Sequence, residues 1–126
     1  MTGPLVAVLD YGIGNLRSAQ KALERVGADA RLTADPGLVA SADGVVLPGV
    51  GAFGRCVGAL ASSGLAGVAT DAALQAADGG RPFLGICVGL QLLYGGSDEC
   101  PEVQGLGVMD GRVELLTGDV KIPQMQ

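Results

Sequence analysis

Residues 82–91 read Pro82-Phe83-Leu84-Gly85-Ile86-Cys87-Val88-Gly89-Leu90-Gln91. A short apolar run, Pro82 to Ile86, has the look of a buried strand, and Val88 to Tyr94 that of the helix after it. Between them lies Gly-x-Cys-x-Gly, the pattern of a nucleophile elbow with cysteine in place of serine. Such a turn holds its nucleophile in a strained backbone conformation, at about 1–3 kcal/mol. Glycines two before and two after relieve the crowding. The side chain then projects above the sheet at the start of a helix, where free N–H groups favour an anion. The Val88 N–H is placed to stabilise an oxyanion. Taken alone, the pattern also suits a cysteine that is only a small buried hydrophobe at a glycine-rich turn.

Working outward, the elements alternate. Leu5 to Leu9 is an apolar strand ending in Asp10 and a glycine turn. From Asn15 to Val26 an amphipathic helix carries Leu16, Ala19, Leu23 and Val26 on one face, with Asn15 able to cap it and Gly27 to end it. Short strands are expected at Ala30 to Leu32 and Gly44 to Leu47. Helices are expected near Ala52 to Ala61 and Leu65 to Ala77, and a last strand at Gly111 to Leu116. Alternating apolar strands and helices imply a mostly parallel sheet covered by helices. Ligands of such sheets sit beyond the carboxyl ends of the strands. Two motifs lie there, Cys87 and Pro48-Gly49-Val50-Gly51-Ala52-Phe53. Glycines in the second let backbone amides approach a ligand closely. It can supply a further oxyanion donor, each worth about 2.7–4 kcal/mol in the transition state. By itself it is equally a plain turn.

With 126 residues, the chain is one domain or part of one. Hydrophobic residues make up 48% and charged residues 17%, as in a folded chain and not a disordered one. The 22 glycines and 6 prolines punctuate elements and form no low-complexity tract. A net charge of −5 without a basic patch argues against nucleic acid or an anionic membrane as partner. No apolar run is long enough to span a bilayer. The opening MTGPLVAVLDYG shows no basic region or cleavage site of an export signal, so the expected location is cytoplasmic. Cys56, Cys87 and Cys100 form no CxxC pair, which fits free thiols in a reducing compartment. Without a histidine, a zinc site is not expected, and nothing in the sequence asks for a cofactor.

Gly85-Ile86-Cys87-Val88-Gly89-Leu90-Gln91 resembles the nucleophile motif of the class I (triad) glutamine amidotransferases, whose fold is flavodoxin-like. Pro48-Gly49-Val50-Gly51-Ala52-Phe53 is similar to the oxyanion strand of one branch, the glutaminase subunits of imidazole glycerol phosphate synthase. Asp10-Tyr11-Gly12-Ile13-Gly14-Asn15-Leu16 resembles that branch's first strand and turn. Gly105-Leu106-Gly107 with Gly111-Arg112-Val113, and Lys121-Ile122-Pro123-Gln124-Met125, extend the likeness in the same order over essentially the whole chain.

The resemblance implies that Cys87 attacks the side-chain amide of glutamine, giving a γ-glutamyl thioester and ammonia. It places Val50, Gly51 and Val88 at the oxyanion hole, with the Val50–Gly51 peptide reorienting on activation. Gly49, Gln91 and Glu99 would hold the substrate, Glu99 by pairing with its α-ammonium group. Taken alone, Glu99 also suits a solvated loop carboxylate. Asn15 matches the face that docks on a (β/α)8-barrel cyclase, and equally suits a plain helix cap. Cys56 and Cys100 match nothing catalytic and read as structural or incidental.

Cysteine chemistry on an amide needs a base and an acid. In the family, a His and a Glu C-terminal of the nucleophile serve, whereas these 126 residues contain no histidine. The expectation is therefore an N-terminal part of the domain, inactive as it stands, with a sheet edge and core surface uncovered. Other readings are a pyridoxal phosphate or anthranilate type of triad amidotransferase, and a cysteine hydrolase or stress protein of the related flavodoxin-like superfamily. The PGVGAF and YGIGN segments argue against the first, and Gln91 against the second. A non-catalytic module that keeps only the cyclase-docking face is the reading from a different class.

Overall fold

A computed structural model describes residues 3–118. The Lys121–Met125 match therefore lies outside the described residues. Four parallel strands form the sheet: β1 (Leu5–Leu9), β2 (Asp29–Thr33), β3 (Gly44–Leu47) and β4 (Phe83–Gly85), in the order β2-β1-β3-β4. The helices are α1 (Leu16–Arg25), α2 (Pro36–Ser41), α3 (Phe53–Ser62), α4 (Ala66–Ala77) and α5 (Val88–Gln91). This is the expected α/β architecture, with β1 and β3 as central strands.

Register explains why the central strands are apolar on both sides. Ala7 pairs with Val45, and Val45 with Phe83, so these residues share one face. That face, with Leu9 and Leu47, packs on Val39 of α2, Phe53, Cys56 and Leu60 of α3, and Ala69 and Ala72 of α4. On the other face stand Val6, Val8, Val46 and Leu84. Helix α1 covers part of it, and no residue of α1 is fully buried. A cleft of about 410 Å3 remains between Leu23, Val6, Val46 and Leu84, and Leu84 is 52% exposed. Among the described residues no single helix is long and apolar enough to cross a membrane.

Several elements differ from the sequence expectation. Helix α2 was not anticipated, although Asp35-Pro36 marks its start: the Asp35 carboxylate accepts from the Gly37 N–H at 2.9 Å, and Pro36 occupies the first turn. The Arg81 side chain, leading into β4, donates to the carbonyls of Val39 and Ala42 at its end. Asn15 sits at the start of α1, but its side chain makes no capping bond; its carbonyl accepts from the Ala19 N–H. Helix α5 stops at Gln91 and does not reach Tyr94. Three-residue turns follow, and the carbonyls of Leu92, Leu93 and Tyr94 are taken by the N–H groups of Leu106, Met109 and Gly107.

Gly111 to Leu116 is not a strand. Only Val113 makes a bridge, to Ser97. Backbone bonds tie Gly111 and Val113 to residues 95–98, and beyond them the Asp98 carboxylate accepts from the Leu115 N–H at 3.1 Å and pairs with Arg112.

Leu9 is wholly buried on the helix-covered face, and Val26 is 82% exposed. Leu9→Ala is expected to lower unfolding free energy by about 2–5 kcal/mol, and Val26→Ala to change it by less than about 0.5 kcal/mol, both read from urea titrations.

Candidate active site

The elbow forms where the sequence places it. Cys87 has φ 56° and ψ −120°, the only positive φ of a non-glycine among the described residues. Two backbone contacts fix it against β3: the Ile86 N–H donates to the Leu47 carbonyl at 2.9 Å, and the Val88 N–H to the Gly49 carbonyl at 3.2 Å. Nothing larger than glycine fits at residue 89, where a Cβ would lie 1.9 Å from the Leu47 carbonyl oxygen. At Gly49 a Cβ would lie 2.6 Å from the Gly89 nitrogen. The glycines of both motifs thus answer one demand, backbone packed directly on backbone.

Cys87 is exposed and lines a cavity of about 300 Å3 with Asn15, Ser18, Pro48, Gly49 and Val50. Gln91 and Glu99 line a second cavity, of about 440 Å3, together with Ser97, Asp98 and Leu115. One turn of α5 links the two, since the Gln91 N–H donates to the Cys87 carbonyl. Glu99 is more than a solvated carboxylate: it accepts from the Phe53 N–H at 3.0 Å, at the start of α3. Buried Ser97 orients it, its hydroxyl accepting from the Glu99 N–H.

The residues expected at an oxyanion hole meet at one corner, but not as an open hole. Val50, Gly51 and Val88 are brought together, yet the Val88 N–H is engaged by the Gly49 carbonyl. The flanking carbonyls are also held. Tyr11 donates its hydroxyl to Pro48 at 2.5 Å, and Cys56 its thiol to Val50 at 3.2 Å. Burial, with the adjacent Cys56 adding to it, pushes the Tyr11 phenol well above its ordinary value. Burial likewise raises the Cys56 thiol. Both groups therefore stay protonated as donors. Spacing gave no sign of this: Cys56 read as structural or incidental.

A parallel sheet with a strained cysteine elbow beyond β4 and a glycine loop beyond β3 is the class I glutamine amidotransferase fold. A crystal structure of a glutamine amidotransferase superposes with a TM-score of 0.66 at 24% identity, over 86% of this chain and 55% of that one. A putative peptidase E from Listeria monocytogenes shares the fold more loosely, with a TM-score of 0.57 at 15% identity over 74% of this chain and 50% of that one.

By sequence, the chain is similar to HisH proteins, which are named as subunits of imidazole glycerol phosphate synthase. The chain is 47% identical to the HisH subunit of Syntrophotalea carbinolica over 96% of its own length and 60% of that protein. It is 46% identical to that of Moorella thermoacetica, over 95% of its own length and 55% of that protein. The chain thus spans somewhat over half the length of these curated relatives. No protein-family model matches the chain.

Gly89→Ala is expected to cost about 1–3 kcal/mol through overpacking at the Leu47 carbonyl. Gly58→Ala, in α3 with open space around the added carbon, is expected to stabilise by about 0.4–1 kcal/mol. Parallel thermal melts of the two variants check the contrast.

Proposed function

We propose that the chain is the nucleophile-bearing part of a cytoplasmic glutaminase subunit of imidazole glycerol phosphate synthase, residues 1–126 forming part of a class I amidotransferase domain. The Cys87 thiolate attacks Cδ of glutamine, the C–N bond breaks, and the nitrogen leaves as ammonia once protonated. Water then cleaves the γ-glutamyl thioester to glutamate and restores the thiol. The ammonia passes to a (β/α)8-barrel cyclase subunit, which Asn15 faces beside the Cys87 cavity. These residues include no histidine, so a histidine base would come from outside them.

Support comes above all from the strained backbone of Cys87 under the Pro48–Gly51 loop, in a chain 47% identical to a HisH subunit. Glu99 uses one carboxylate oxygen on Phe53, which leaves the other for an α-ammonium group. Gln91, half-buried in the same cavity, offers both a donor and an acceptor for the α-carboxylate and amide of a glutamine. Val88 and Gly51 would supply N–H groups to the developing oxyanion once the Gly49 carbonyl withdraws.

A glutamine analogue with an electrophile at Cδ is expected to label Cys87 ahead of Cys56 and Cys100, and glutamine to protect it. Glu99→Gln should raise the half-saturating analogue concentration by roughly tenfold, the loss of one charge-assisted contact. Peptide mass spectrometry of the labelled protein reads both. Labelling that ignores glutamine, alongside stable binding to the cyclase, would point instead to a docking module without catalysis.

A further inference from the structure

Ser97 is the most deeply buried polar residue among those described, only 1% exposed. A buried hydroxyl is unfavourable unless it is bonded, so its partner shows what the burial serves. Thr33, the other buried polar residue described, holds the Asp35 N–H and so the start of α2. The Ser97 hydroxyl instead accepts from the Glu99 N–H at 3.2 Å, beside the cavity that Gln91 and Glu99 line.

Ser97 is itself anchored on both sides. It pairs with Val113, whose N–H donates to the Gly96 carbonyl and whose carbonyl accepts from the Asp98 N–H, each at 2.9 Å. Its own carbonyl accepts from the Cys100 N–H at 3.2 Å. Gly96 packs so closely that a Cβ there would lie 2.7 Å from the Arg112 guanidinium. Glu99, by contrast, is exposed, and it is held at two points. Ser97 fixes its backbone end, and the Phe53 N–H fixes one carboxylate oxygen at 3.0 Å. Neighbouring Asp98 is already engaged by the Leu115 N–H and by Arg112, which leaves Glu99 to meet a cation.

We infer that Ser97 is a positioning residue for amino-acid recognition, its buried hydroxyl fixing the turn so that the second Glu99 oxygen is set for an α-ammonium group before the ligand arrives. A mobile carboxylate would lose its freedom on binding and weaken the contact, whereas one fixed beforehand does not. The inference rests on the glutaminase reading for its ligand, though not for the hold on Glu99. Ser97 acts only through Glu99, so its effect is confined to ligands that carry an α-amino group.

The test compares glutamine with its deamino counterpart as protectors of Cys87 against the electrophilic analogue, in the intact protein. In Ser97→Ala the half-protecting concentration of glutamine should rise roughly two- to tenfold, the range of one hydrogen bond. That of the deamino compound should not move, and Ser97→Thr, which keeps the hydroxyl, should restore the glutamine value. An equal rise for both ligands overturns the inference, since Ser97 would then shape the whole cavity. So does no rise for either. Amide hydrogen exchange supplies a reading that needs no ligand. The Phe53 amide should exchange faster in Ser97→Ala while the β1–β3 ladder keeps its rates, and an unchanged Phe53 rate sinks the hold on Glu99. Should Ser97→Ala fail to fold, the unaltered protein decides. Glutamine should then slow exchange at Phe53 and Glu99 and the deamino compound should not, and equal slowing by both, or none by either, overturns the inference. Glutamine that protects Cys87 in no variant, with Phe53 faster in Ser97→Ala, sinks the glutaminase reading and keeps the hold on Glu99.

Discussion

The carboxyl end of β3 and the turn after β4 approach so closely that no side chain fits between them. The Leu47 carbonyl accepts from Ile86, the Gly49 carbonyl from Val88, and a Cβ at residue 89 would lie 1.9 Å from the Leu47 oxygen. Everything that defines the site descends from this backbone-to-backbone contact. It forces glycine at 49 and 89, draws α5 in under the loop, and leaves Cys87 in a conformation that L-residues avoid. Strain at one residue persists only where the surroundings over-determine it. Here the two bonds to β3 on either side of Cys87 do so.

The sheet makes that contact possible. Parallel pairing of β1, β3 and β4 brings their carboxyl ends to one edge, so the turns after all three strands meet there. Tyr11 follows β1, the Pro48–Gly51 loop follows β3, and Cys87 follows β4. Tyr11 reaches Pro48 across 37 residues of sequence because β1 and β3 are neighbours in register. A different strand order would leave the loop without its first donor.

What the sequence made legible follows the same physics. Leu5–Leu9 and Gly44–Leu47 were readable to the residue, since a strand buried on both faces is an unbroken apolar run bounded by glycine, proline or aspartate. The elbow was readable because its glycines are sterically compulsory. Less could be read where tertiary bonds override local preference. The residues after Gln91 carry a helical pattern, but their carbonyls are claimed by Leu106, Gly107 and Met109, and the helix ends early. Gly111 to Leu116 has strand-like residues but bonds only through Gly111 and Val113 to residues 95–98, which are no strand themselves, and the Asp98 carboxylate takes the Leu115 N–H. Helix α2 was marked by Asp35-Pro36 but is too short for periodicity to reveal. Cys56 read as structural or incidental and Tyr11 only as part of a motif, and neither read as a donor, because what they bond to is a loop conformation that no spacing encodes.

A buried amide must find a partner, and this requirement shapes the site even without a ligand. Val88 is only 6% exposed, so an oxyanion donor waiting empty there would be a desolvated N–H with nothing to bond. The Gly49 carbonyl fills that vacancy. Withdrawing it costs about 0.5–1.5 kcal/mol for a neutral bond. A developing oxyanion returns about 2.7–4 kcal/mol per donor. The exchange is unfavourable before the tetrahedral intermediate forms and favourable as it forms. In the proposed reaction, selectivity for the moment of bond formation would thus arise from ordinary hydrogen-bond satisfaction.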